Sequence, residues 1–181
     1  MGYLWVVCRF SAGLACRALL VRFYNGASFI IKECIMTQQR LDFTQASPDA
    51  VKAMYALEAA IAKLGVEHSL VELIRLRASQ INGCAFCVDM HTSDARKAGE
   101  TERRLYAVSV WRETPFFTPR ERAVLAWTEA LTLLPQNHAS DEDYAALAEQ
   151  LTPAEMVNVT LAIGAINTWN RLAVGFRKMP E

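Results

Sequence analysis

Beyond Met36 the sequence predicts an all-α fold of about seven helices. Three observations carry it: apolar residues recur three or four apart, a capping residue stands before most of these runs, and no alternating run bounded by hairpin turns competes. Ser47-Pro48 opens the first helix, with Val51, Met54, Leu57, Ile61 and Leu64 on one face and Gly65 at its close. Ser69 and Glu72 have capping-box spacing before Leu73 and Leu76. Cys84 to Ala98 forms a third helix ending at Gly99, and Glu102 to Val110 a fourth ending before Thr114-Pro115. Thr118-Pro119 with Glu121 starts the fifth, carrying Val124, Trp127 and Leu131, and Pro135 ends it. Ser140 to Leu151 supplies the sixth. Thr152-Pro153 with Glu155 starts the last, through Val159, Ile163, Ile166 and Trp169.

At 181 residues and 52% hydrophobic, the chain can bury a sizeable single core, which excludes a disordered or low-complexity protein. Its 19 basic and 19 acidic side chains cancel, so no net field gathers nucleic acid or an anionic membrane. Arg75 and Arg77 near Glu72, and Arg103 and Arg104 beside Glu102, read as solvated faces or intersubunit pairs. Trp111, Phe116, Phe117, Trp127 and Trp169 offer aromatic surface either for assembly into an oligomer or for an ordinary core.

Residues 1–35 differ in composition from the rest. They hold four basic residues against Glu33 alone, and three of the five cysteines, Cys8, Cys16 and Cys34. No charge-free stretch there approaches the roughly 18–20 residues of a spanning helix, and the apolar run precedes the arginines, the reverse of a secretory signal. The expectation is that Met36 is the natural start and that residues 1–35 are translated upstream sequence. The rivals are an amphipathic arm over a neighbouring subunit and a mitochondrial transit peptide. On that division a single domain occupies residues 36–181, and Cys84 and Cys87 are its only thiols.

The segment from Ile81 to His91 carries the chemistry. Asn82-Gly83 breaks the chain, which puts Cys84 in the first turn of the next helix with Cys87 on the same face. Unsatisfied amides and the positive dipole end favour thiolate there. His91 lies one turn beyond Cys87, where an imidazole can accept the thiol proton or return one to a leaving oxygen. If residues 69–82 and 84–98 form an antiparallel hairpin, Glu72 stands about 15 Å from the turn and His91 about 10–12 Å from it. A carboxylate, an imidazole and a dithiol then converge as a proton relay beside a redox-active sulfur pair. His91 favours Cys87 as the attacking sulfur, whereas exposure at the helix start favours Cys84 as the thiol a reductant reaches.

Other readings compete at each position. Both cysteines are of a type often simply buried, and Glu72 has a sufficient structural role in the capping box with Ser69. Cys84, Cys87, His91 and Glu72 are also a possible zinc quartet, although structural sites more often draw on two separated ligand pairs. Haem attachment is excluded because His does not directly follow the second cysteine. His68 and His138 fall at loop or cap positions.

Through Glu72, Cys84-x-x-Cys87-x-x-x-His91, the Trp111–Arg122 segment and Ile166 to Arg171, the chain resembles the AhpD-like alkylhydroperoxidase group of the carboxymuconolactone decarboxylase family. The likeness runs from about Ser47 to Phe176. It implies an all-helical subunit assembled as a homotrimer or homohexamer, reducing hydroperoxides without metal, haem or other cofactor. Under it, Cys87 attacks the peroxide and becomes a sulfenic acid, Cys84 donates a proton and closes the disulfide, and Glu72 and His91 form the relay. The best-known members have a second histidine before the second cysteine, where this chain has Phe86. A dithiol reductant or lipoyl-type adaptor protein would regenerate the pair in a reducing, cytoplasmic setting. The alternatives are a decarboxylase-like proton transfer using Glu72 and His91, and a zinc-binding or redox-sensing oligomeric module.

Overall fold

A computed structural model describes residues 38–180 in full and, of residues 1–37, the backbone of three strands. The chain divides into two compact units, Met1–Gln39 and Arg40–Glu181. In the first, strands β1 (Leu4–Arg9), β2 (Ala15–Arg22) and β3 (Ser28–Cys34) form an antiparallel sheet in that order, with Cys16 opposite both Cys8 and Cys34 in register. The readings of this segment as upstream sequence, arm or transit peptide turn on matters outside the described residues.

From Arg40 onward the unit is all-α. The seven expected helices are α2 (Pro48–Ile61), α3 (His68–Asn82), α4 (Ala85–Lys97), α5 (Glu102–Ala107), α6 (Pro119–Thr132), α8 (Asp141–Ala148) and α9 (Pro153–Phe176). Two single-turn helices, α1 (Phe43–Ala46) and α7 (Leu134–Asn137), join them, and α5 runs into a 3₁₀ segment at Val108–Glu113.

Local chemistry accounts for most boundaries. The capping boxes at α6 and α9 form as the Thr-Pro-x-Glu spacing predicts: Thr118 Oγ1 accepts from the Glu121 amide at 3.2 Å, and Glu121 Oε2 accepts from the Thr118 amide at 2.7 Å. Thr118→Ala is expected to lower stability by about 1 kcal/mol, read as a shift in the urea midpoint of the helical signal. Gly83 ends α3 in the left-handed conformation at φ 65°, so the Asn82-Gly83 break is real.

One boundary differs from the sequence reading. The capping box at Ser69 does not form: α3 begins at His68, with Glu67 in the cap position, and the Glu67 side chain does not cap the helix but accepts from Arg120 at 3.2 Å. Helix α6 stops at Thr132, ahead of Pro135, which falls in the first turn of α7, where its missing N–H leaves nothing unsatisfied.

Helix α3 is the centre of the unit and packs against α4, α6 and α9. One of its faces sends Leu70, Ile74 and Ala78 into a core with Val124 of α6 and Val159, Ile163 and Ile166 of α9. The opposite face sends Leu73 and Leu76 into a second core with Leu105, Val108, Trp111 and Leu125. Each such buried aliphatic side chain contributes about 1.5–3 kcal/mol over its exposed state. The five aromatic residues that sequence offered to either an oligomer interface or an ordinary core pack into these cores, Trp111 and Phe117 fully and Phe116, Trp127 and Trp169 in part. Among the described residues no helix is long and apolar enough to cross a membrane.

Candidate active site

Helices α3 and α4 form the antiparallel hairpin that helix arithmetic requires, and it brings Glu72 to His91. His91 Nδ1 lies 2.9 Å from Glu72 Oε2, with the two residues only 6% and 3% exposed. Burial acts to raise the Glu72 pKa, but the hydrogen bonds and charges of His91 and Arg75 outweigh it and hold the carboxyl below its ordinary value. An ionised carboxylate can only accept, so Nδ1 of His91 carries the proton and Nε2 is left to take another. The Glu72 side chain is thus turned into the protein rather than back to the helix start, which removes its capping role.

Arg75 extends the pair. Its guanidinium donates to Glu72 Oε1 at 2.7 Å and also to Glu58 Oε2 on α2, while Trp169 Nε1–H of α9 donates to Glu58 Oε1 at 3.0 Å. A continuous chain of polar groups therefore runs from Trp169 through Glu58, Arg75 and Glu72 to His91. The reading of Arg75 and Arg77 as solvated or intersubunit charges fails, since Arg77 is likewise committed inside the subunit to Glu129. Arg104 is similarly held between Glu100 and Glu121, and the Arg103 guanidinium lies over the Phe116 ring.

Cys84 is the N-cap of α4, and its sulfur accepts the Cys87 amide hydrogen at 3.2 Å. Cys84 and Cys87 are joined as a disulfide and packed against Ala173 of α9, with Phe86 alongside. Cys84 is 1% exposed and Cys87 2%, so the expected exposure of Cys84 at the helix start is not found. The reason is α9, whose wall covers the turn. Cys87, and not Cys84, lines a cavity of about 290 Å³ that it shares with His91, Arg75 and Glu58.

The turn itself is anchored. Asn82 Nδ2 donates to the side-chain oxygens of Asn167 at 3.0 Å and Asn170 at 2.9 Å, both on α9, and Asn170 donates to Ser79 Oγ at 3.0 Å. These amides, half-buried at Asn82 and buried at Asn167 and Asn170, are matched donor to acceptor, which fixes the loop before Cys84 rather than leaving it free to fray.

All four residues expected at the site are therefore gathered in one hairpin. Sequence reasoning passed over Glu58 and read Arg75 only as a surface or intersubunit charge and Asn82 only as a turn signal, although a carboxylate among the inward positions of α2 is a signal that a cation must meet it. Among the described residues no group of three His, Cys, Asp or Glu side chains is placed to hold a metal ion. Both oxygens of Glu72 are committed, to His91 and Arg75, so the zinc quartet is not assembled. His68 and His138 lie exposed at the start of α3 and the end of α7.

The sequence matches the carboxymuconolactone decarboxylase family over residues 48–130. The uncharacterised protein YdfG of Bacillus subtilis (strain 168) is 41% identical over 136 residues, which span 75% of this chain and 92% of that protein. A protein of unknown function from Agrobacterium tumefaciens, provisionally placed in antioxidant defence as AhpD, superposes with a TM-score of 0.78 at 47% identity, covering 80% of this chain and 99% of the other. An uncharacterised peroxidase-related protein from Ralstonia eutropha JMP134, described as an alkylhydroperoxidase AhpD core, shares the fold with a TM-score of 0.65 at 24% identity, over 76% of this chain and 74% of that one.

Proposed function

The chain belongs to the carboxymuconolactone decarboxylase family, and from that premise we propose that it reduces organic hydroperoxides through a Cys84/Cys87 dithiol–disulfide cycle. The observation that carries this reading is the paired sulfurs with Cys87 alone lining the cavity, one helical turn from a histidine whose other nitrogen is held by a buried carboxylate.

In the reduced protein, His91 Nε2 accepts the Cys87 thiol proton, and Glu72 stabilises the imidazolium that forms. The thiolate attacks the terminal oxygen of ROOH; the S–O bond forms, the O–O bond breaks, and the alkoxide takes the proton from His91 and leaves as ROH. Cys87 is then a sulfenic acid. Cys84, whose sulfur already receives the Cys87 amide, attacks Cys87 as thiolate, the S–S bond forms and the hydroxyl leaves as water with the Cys84 proton. The two thiols have lost two electrons, and ROOH has become ROH and water. A small dithiol or a protein-borne lipoyl group returns the electrons by thiol–disulfide exchange.

Reduced protein mixed with one equivalent of cumene hydroperoxide is expected to release one equivalent of cumyl alcohol and to show a Cys84–Cys87 disulfide in peptide mass maps. Thiols at positions 84 and 87 that stay free while the hydroperoxide persists would remove the proposal.

A further inference from the structure

We propose that the cavity beside Cys87 receives an apolar or aromatic molecule bearing a single carboxylate, and that Lys178 is the residue that selects the charge. This deepens the peroxidase reading and rests on it only for the hydroperoxide group of the substrate.

The body of the cavity is apolar. Tyr55, Phe86, Met90, Ile166 and Trp169 line it, and its volume of about 290 Å³ lies at the lower end for a site holding a small organic molecule. Hydrogen peroxide would leave these walls uncovered, whereas a substituted ring would cover them.

Four fully ionic side chains also line the cavity, and three are spoken for. Glu58 is held by Arg75 and Trp169, Arg75 by Glu58 and Glu72, and Asp94 by Lys97 at 3.0 Å. Lys178 differs. Its Nζ stands 4.5 Å from the centre of the Phe86 ring and 5.6 Å from that of Phe43, and among the described residues no carboxylate lies within ion-pair distance of it. Asp42 is the acid that senses it, but it makes no ion pair with Lys178; its Oδ1 accepts from the Thr44 hydroxyl and from the amides of Thr44 and Gln45. Accordingly the Thr44 hydroxyl is the main cause holding the Asp42 pKa low, and the Lys178 charge the least of those named.

An ammonium resting on two aromatic faces keeps its N–H donors for something else. It stands over Phe86, the residue immediately before Cys87, so an anion bound to it holds the rest of its molecule at the cysteine. One compact cation matches one carboxylate. Phosphate recognition more often draws on a guanidinium, and Arg75, the guanidinium in this cavity, is already doubly paired.

The test separates charge from shape without any peroxide. Oxidised protein is titrated by calorimetry with 4-isopropylbenzoate and with 4-isopropylbenzyl alcohol, which share a ring and alkyl group and differ in charge. The benzoate is expected to bind about tenfold more tightly than the alcohol, a preference that shrinks as salt is added. K178Q is expected to bring the two affinities together and K178R to restore the preference. Equal binding of both probes by the unaltered protein, a preference that survives K178Q, or no benzoate binding at millimolar concentration overturns the assignment. A protein that binds the benzoate through Lys178 yet reduces no hydroperoxide keeps this inference and removes the peroxidase reading.

Discussion

Cys87→Ser is expected to reduce hydroperoxide no faster than the uncatalysed background, while Cys84→Ser consumes one equivalent per chain and stops. The asymmetry follows from the two environments. Cys87 lines the cavity with His91, whereas Cys84 lies behind it as the cap of α4. Without Cys84 the first step still runs, but the sulfenic acid has no neighbouring thiol to condense with. Rapid mixing with cumene hydroperoxide, followed by dimedone trapping and mass analysis, reads both outcomes: a label on Cys87 in the Cys84 variant and none at position 84 in the Cys87 variant. A burst confined to Cys87→Ser exchanges the two roles. Undiminished turnover in both variants sinks the thiol mechanism.

Glu72→Gln is expected to cost about 3 kcal/mol of stability and most of the turnover together, because removing one partner leaves buried charge uncompensated. Arg75 loses one of its two carboxylates, and His91 loses the acceptor that fixes its tautomer. The carboxyl titrates below its ordinary 4.5 in the folded protein, so its contribution is complete above that value and is lost as pH falls through the lower, folded one. Unfolding in urea from pH 7 to pH 3 is expected to show a shallower acid decline in the variant. Equal stability of the two proteins at pH 7 would mean that the pair contributes nothing to the fold.

The fold was largely legible because its signals are local. Thr118-Pro119 and Thr152-Pro153 announce helix starts through hydrogen bonds made within four residues, and Asn82-Gly83 announces a turn that only a left-handed residue completes. The site was legible for a related reason: Cys84, Cys87 and His91 share a helix, and Glu72 follows once that helix is folded back on its neighbour. What stayed hidden depends on distant partners. Nothing within α3 tells whether Arg75 faces water or Glu58, seventeen residues away on another helix. The Ser69/Glu72 spacing misled because the buried His91 and Arg75 compete for the same carboxylate and win. Cys84 looked accessible because α9, which covers it, lies some ninety residues further along the chain.

The cross-link between Cys84 and Cys87 closes a loop of a single helical turn. A bridge stabilises chiefly by what it denies the unfolded chain, and one this short denies it little, at the small end of the range of about 0–5 kcal/mol. The two cores around α3 hold the domain without it. In the proposed cycle, opening and closing the bridge therefore changes the stability of the domain little.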